Sequence, residues 1–313
     1  MFFKSLAAYR FNKPFSISTD DLEEKLAAAQ FHPCGSQDMS KTGWVTPLGR
    51  HGRTFVHEAQ GFQMICMNTE KKILPAPVIK ERLAEKVAEI EEAQMRKVGR
   101  KEKEELKEQI IQELLPKAFT RSQTTYGYLS SKDGLLIIDA STPKKADDFT
   151  SFLRQTLGSL PIRMLAVKES PMNVMSEWLL GVREVPNSFE LGDECELREQ
   201  GDAAGVIRCK AIDLVQDEIR AHLEGGMRAV KLAMAWDEKI TCMVSEDLTI
   251  KRIRFSDIMQ EQAAEGADDH AARFDADFVL MATTFAELMP AILEAFGGED
   301  KSSLQTEPDA EAE

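Results

Sequence analysis

The sequence predicts an α+β protein with largely antiparallel sheets and one protruding helical hairpin. Three observations carry that class. Short alternating segments recur in pairs across tight polar turns, so hairpins outnumber crossovers. Between Val78 and Arg121 apolar residues follow helical spacing, interrupted once by a basic run. The chain has 313 residues, 43% hydrophobic and 29% charged, enough for sub-domains that share a substantial core.

In chain order, residues 2–10 form a strand. Thr19 caps a helix that runs to Gln30, with Asp20 and Asp21 in its first turn and Leu22, Leu26 and Phe31 as its buried stripe. The run FHPCGSQDMSKTGWVTPLG, rich in Gly, Ser and Pro, predicts an ordered loop. Thr54–Ala59 and Phe62–Asn68 form a hairpin around Gln60 and Gly61, the second strand at least partly covered on both faces.

The helical hairpin follows, entered through Pro75 and Pro77. Ile79, Leu83, Val87 and Ile90 mark one helix; Leu106, Ile110, Leu114 and Leu115 mark the next, which Pro116 ends. The turn at Val98 and Gly99 carries Arg96, Lys97, Arg100, Lys101 and Lys103 against one acid, Glu102. Such a basic tip can reach an anionic partner; the same residues also suit a solvated helix face.

Ser122–Ser130 and Gly134–Asp139 form a second hairpin, and Ser141 caps a helix to Leu157 with Phe149, Phe152 and Leu153 on one side. Pro161–Val167 is a strand and Asn173–Leu180 a short helix. Ser188–Leu197 and Gly205–Lys210 are strands, and Asp213 caps a helix to Leu223. Met227–Trp236, Ile240–Val244 and Leu248–Phe255 form a three-stranded meander. A helix at Asp257–Ala264, a strand at Asp275–Met281 and a helix at Phe285–Phe296 complete the fold. The expected domains are a central α+β unit (1–76 and 122–182), the helical arm (77–121), a second α+β unit (183–297) and a disordered acidic tail (298–313).

Net charge is −14, which argues against a uniformly basic coat. Six acids against Lys301 fall in the tail from Gly298, so local charge has to be read separately. No apolar run approaches the ~20 residues of a membrane span, and the N-terminus reads as a strand rather than a signal peptide. The five cysteines (Cys34, Cys66, Cys195, Cys209, Cys242) are scattered without a CxxC, the pattern of reduced cytoplasmic thiols.

Catalytic motifs are sparse. There is no GxxxxGK[ST] loop and no GxGxxG after a strand. His32, His51, His57, His222 and His270 show no zinc-ligand spacing, and Ser36 lacks the flanking Gly of a nucleophile elbow. Asp275 and Asp277, if on one face of a strand, could hold Mg²⁺ in a nuclease, although acids bordering a strand are usually a solvated edge. No cofactor or metal is expected.

Further basic residues lie on strands. In TIKRIRF the period of two puts Arg252 and Arg254 on one face, with Lys251, Ile253 and Phe255 on the other. Arg208 and Lys210 share a face in VIRCK, and Lys117 and Arg121 bracket Phe119. A basic strand is usually a solvent face; several in an acidic chain suggest charge gathered on one surface that contacts phosphates without reading bases.

The runs FHPCGSQDMSKTGWVTPLG, KILPAPVIK, LLPKAFTR, LGSLP, GVIRCK and RFDADFVLM resemble the RdgC family of bacterial recombination-associated proteins, over nearly the whole chain and excluding only the acidic tail. The resemblance implies a ring-shaped homodimer whose basic central hole encloses duplex DNA with little sequence preference. It also implies restraint of RecA-driven strand exchange and residence in the cytoplasm with the nucleoid. By the same resemblance the hairpin belongs to the arm that closes the ring, Phe119 matches an apolar residue at the closing contact, and Arg96, Lys97, Arg100, Lys117 and Lys210 fall at basic positions. The chain departs at Ala211 and Ile212, where relatives are expected to carry a basic or amide side chain. The expected partner is double-stranded DNA, with single strands also open, through Arg96, Lys97, Arg100, Lys101, Lys117, Arg121, Arg208, Lys210, Arg252 and Arg254. A Mg²⁺-dependent nuclease and a protein-binding scaffold are the alternatives.

Overall fold

The computed structural model describes residues 1–15, 17–201, 204–264 and 269–302. Its first half holds β1 (Ser5–Phe11), α1 (Thr19–Ala28), β2 (Ser40–Val45), β3 (Val56–Ala59), β4 (Phe62–Ile73), α2 (Ala76–Gln94), α3 (Arg100–Leu114), β5 (Phe119–Ser130) and β6 (Leu135–Ile138). Then come α4 (Pro143–Leu157), β7 (Ile162–Met164), α5 (Pro171–Leu180), β8 (Phe189–Arg198), β9 (Val206–Cys209) and α6 (Asp217–Glu224). Last are β10 (Arg228–Trp236), β11 (Ile240–Ser245), β12 (Ile250–Phe255), α7 (Asp257–Ala264) and α8 (His270–Ala295). The class is α+β, as expected.

Among the described residues the strands join one 12-stranded sheet, in the order β2-β4-β5-β6-β1-β12-β11-β10-β8-β9, with β3 on β4 and β7 on β1. Strand β1 links the two halves. Ser5 and Leu6 pair with β12, while Ala7–Arg10 pair with β6, so one strand changes neighbours midway.

Two apolar cores follow from this. Helices α5, α6 and α8 cover one face, burying Leu197, Leu232, Trp236, Phe278 and Phe285. Helices α1 and α4 cover the opposite face of the first half, over Trp44, Ile65, Phe149 and Leu153. Strand β4 serves both cores, with Phe62 and Met64 on one side and Ile65 and Met67 on the other. Its apolar stretch is therefore covered on both faces, as the sequence predicts.

Four local expectations change. The Gly- and Ser-rich loop contains β2, which pairs with β4 from Ser40 to Val45. Gly43 is needed there because a Cβ would sit 2.3 Å from the Phe31 backbone. The cap of α1 is Ser18, whose hydroxyl accepts from the Asp21 N–H. Thr142 caps α4, and α6 begins only at Asp217 behind Gln216.

The largest correction is α8. The strand expected at Asp275–Met281 and the helix after it are one 26-residue helix, capped by Asp269. RFDADF alternates like a strand, but Phe274, Phe278, Met281, Phe285, Leu288 and Ile292 keep helical spacing over a length no strand reaches. By length and composition α8 is apolar enough to cross a membrane, yet more than half of its most apolar 18-residue stretch is buried inside this fold.

The expected acidic tail is held at its start. Lys168 N–H donates to the Gly298 carbonyl at 3.0 Å and Asp300 N–H to Ala166 at 2.8 Å. The Glu299 carboxylate takes Arg10 at 2.8 Å and Arg163 at 3.3 Å. Residues 303–313 lie outside the described residues.

Candidate nucleic-acid interface

Strands β4 and β5 pair without a break from Phe62↔Ser130 to Ile73↔Phe119. Their inner half is core, and their outer half becomes a ribbon that carries α2 and α3. The two helices cover each other incompletely: Ile79, Leu83, Val87, Ile90 and Leu106 stay half-buried, and Ile110 alone within the helices is fully covered. A helix of 19 residues extends about 28 Å, so the basic turn stands well away from the cores. A Lys86–Glu113 pair at 2.7 Å ties the helices together, and Lys72 Nζ donates to the Leu115 carbonyl at 2.8 Å at their root.

The turn itself divides its cations. Arg96 makes two hydrogen bonds to Glu102, and hydrogen bonding from Arg96 holds the Glu102 carboxyl below its usual range. Met95 takes a left-handed conformation, and the Val98 N–H donates to Glu91 at 2.9 Å. Arg100 approaches Glu104 at 3.5 Å. Among the described residues Lys97, Lys101 and Lys103 make no ion pair.

Lys210, Arg252 and Arg254 come together on the outer face of β8–β12. They rim a trough of about 400 Å³ floored by Gly192, Ala233 and Ala235, with Asp193 and Glu194 also on its edge. The floor has to be small: a Cβ on Gly192 would lie 2.8 Å from the Ala233 Cβ. Arg252 pairs with Glu194 at 2.6 Å, whereas Lys210 and Arg254 have no acid in reach among the described residues.

The face assignment within β12 is corrected. Arg252 has φ of 52°, and the β11–β12 register shifts beside it. This bulge resets the alternation, so Lys251 lies opposite Met243 and escapes the core side on which Ile253 and Phe255 are buried. Arg208 lies apart from the trough, bound to Glu196 at 2.8 Å. Burial opposes ionisation of Glu196, but hydrogen bonds from Lys231 and Arg208 outweigh it and keep the carboxyl below its usual range. Glu194 and Glu196 are the partners that sequence reading missed; their i, i+2 spacing on β8, beside the expected basic strand, was the available signal.

Lys117 and Arg121 are exposed at the root of the hairpin without ion pairs among the described residues, and Phe119 between them keeps 84% of its surface. Facing Ile73 across the last rung, it forms an apolar end to an otherwise polar ribbon.

The paired-carboxylate reading of Asp275 and Asp277 is overturned. On a helix two residues apart they point to different sides. Asp275 meets His57 Nε2 at 3.0 Å, while Asp277 is buried against Arg273 Nε at 3.0 Å and the Met1 ammonium. The described residues hold no cluster of three or more His, Cys, Asp or Glu suited to a metal. All five thiols are free, and burial pushes Cys66 and Cys242 up to about 12.

A family profile described as "Putative exonuclease, RdgC" matches residues 1–299. The chain belongs to the RdgC family. It is 46% identical to the recombination-associated protein RdgC of Aeromonas hydrophila over 303 residues, covering 96% of this chain and 100% of that one. It is 46% identical to the protein of that name from Tolumonas auensis and 45% to that from Psychromonas ingrahamii, each over 300 residues, 96% of this chain and 99% of the relative. The RdgC family match thus runs from β1 through α8, hairpin and trough residues included.

Proposed function

We propose that the protein binds DNA without sequence preference, encircles duplex DNA as a ring-shaped homodimer and restrains RecA-driven strand exchange, in the cytoplasm with the nucleoid. The observation that carries the reading is the segregation of charge. In a chain of net charge −14, Lys97, Lys101 and Lys103 at the α2–α3 turn and Lys210 and Arg254 around the small-floored trough have no acid partner among the described residues. Such groups can neutralise phosphates, and phosphate contacts position a protein on DNA without carrying sequence information. A closed ring holds DNA topologically, so each contact can stay weak and the protein can slide. In this reading Lys97, Lys101, Lys117, Arg121, Lys210 and Arg254 meet phosphates directly, and Arg96, Arg100, Arg208 and Arg252 exchange a carboxylate for a phosphate or stay with it. Phe119 is the anchor at the closing contact.

The family description leaves nuclease chemistry as the second reading. Incubation with end-labelled duplex and Mg²⁺, run beside gel shifts at low and moderate salt, tests both. Retarded but intact duplex is expected. Protein-dependent cleavage products would favour the nuclease, and no shift at low salt would favour a protein-binding scaffold.

A further inference from the structure

We propose that the exposed face of the β4–β5 ribbon, with the first turn of α4, is a second phosphate track, gripping a nucleic-acid backbone through Lys71, Arg121 and Lys144. This rests on the DNA-binding reading above. Lys71 and Arg121 are directly opposite each other in the β4–β5 register, and both are exposed. Like charges directly opposed on a sheet are destabilising. Among the described residues neither has a carboxylate within ion-pair reach, and Lys144 has none either. The repulsion is therefore unrelieved until an anion arrives.

The surroundings fit a phosphate backbone. On this face Ser40 pairs with Lys71, Thr42 with Thr69, and Thr69 with Gln123, so hydroxyl and amide donors continue the line of charge. Two depressions of about 340 and 380 Å³ share Lys71, Thr69, Met67 and Asp148. Asp148 is the one acid in either. The opposite face of the same ribbon is built differently: Glu70 lies across from Ser122, taking its hydroxyl at 3.2 Å and the Cys34 N–H at 2.8 Å. One face thus satisfies its polar groups internally and the other leaves its cations open. The lining is mostly hydroxyls, amides and cations, with Met67 and Phe152 the apolar side chains, a balance that suits a phosphate backbone better than a peptide held by apolar anchors.

The test is a Lys71→Ala, Lys144→Ala double variant of the full chain, measured by fluorescence anisotropy on labelled duplex across a salt series. Losing two phosphate contacts should flatten the slope of log affinity against log salt by about 1.8. A fourfold rise in salt then costs the variant about 12-fold less affinity than it costs wild type. Removing Lys71 relieves its repulsion of Arg121, so the melting temperature should hold or rise, separating lost binding from lost folding. A wild-type slope retained by the variant overturns the track and leaves the DNA-binding reading standing. Wild type that binds no DNA overturns both. A variant that keeps its DNA slope but loses binding to polyglutamate assigns the face to an acidic protein and overturns the proposal.

Discussion

Arg96 closes on Glu102 through two hydrogen bonds of 2.7 and 2.8 Å, across the turn that joins α2 to α3. The bidentate geometry suits a guanidinium fork and would not survive exchange for Lys. The basic tip therefore contains a clamp as well as free cations. Arg96→Ala should lower amide protection around the turn in hydrogen exchange. Lys97→Ala with Lys101→Ala should leave protection unchanged and flatten the salt slope of DNA binding by about 1.8. Equal effects of both changes on protection would show that no such division exists.

Phe119 separates chain stability from assembly. It is 84% exposed, so Phe119→Ala should shift the stability of the folded chain by no more than about 0.5 kcal/mol. In the proposed ring, where Phe119 is the anchor between two copies, its loss should weaken closure by about 2 kcal/mol, roughly 30-fold. Sedimentation across a concentration series and retention on circular DNA measure the second effect. Wild-type behaviour in both would remove Phe119 from the contact.

Phe278 is the test of α8 as the core helix. Its ring lies 5.8 Å from Tyr128, 6.3 Å from Phe62 and 5.7 Å from His57, with no surface left to solvent. Phe278→Ala should cost about 3–5 kcal/mol, read from the urea midpoint. A loss under about 1 kcal/mol would mean that α8 does not hold the two halves together in this way.

Asp139 sets a pH dependence. Burial raises its carboxyl above the usual range, against the nearby Lys145 and the hydrogen bonds from the Ser5 and Lys4 backbone. The folded carboxyl therefore keeps its proton to higher pH than the unfolded one. Its contribution is fully present below the unfolded carboxylate range and is lost as pH rises through the raised folded value. Asp139→Asn, which cannot ionise and keeps an acceptor for Ser5, should melt at a higher temperature than wild type at neutral pH. The difference should shrink toward acid pH, and a constant difference would refute the burial argument.

Much of the fold was legible because its signals are local. The β3–β4, β5–β6 and β10–β12 turns carry their own polar residues, and the α2–α3 hairpin repeats apolar residues at helical spacing on both sides of Gly99. Strand β2 was not legible, because Ser40 and Thr42 take their pairing from Lys71 and Thr69, far along the chain. In α8 the short window around Asp275 alternates, and only the longer run of buried residues to Ala295 shows the helical period. At the site, the sequence named the cations but not their state: Arg252 is held by Glu194 and Arg208 by Glu196, while Lys210 and Arg254 face an open trough.

The sequence by itself determined the α+β class, the basic helical arm and, through long matching runs, the RdgC family. Tertiary structure decided which charges are free. It placed Lys71 opposite Arg121, set Asp275 and Asp277 on different sides of a helix, and bulged Arg252 outward. The reason is physical: helical periodicity depends on residues three or four apart, whereas cross-strand neighbours depend on hydrogen-bond register between distant segments. That register is fixed by which apolar faces each strand must bury.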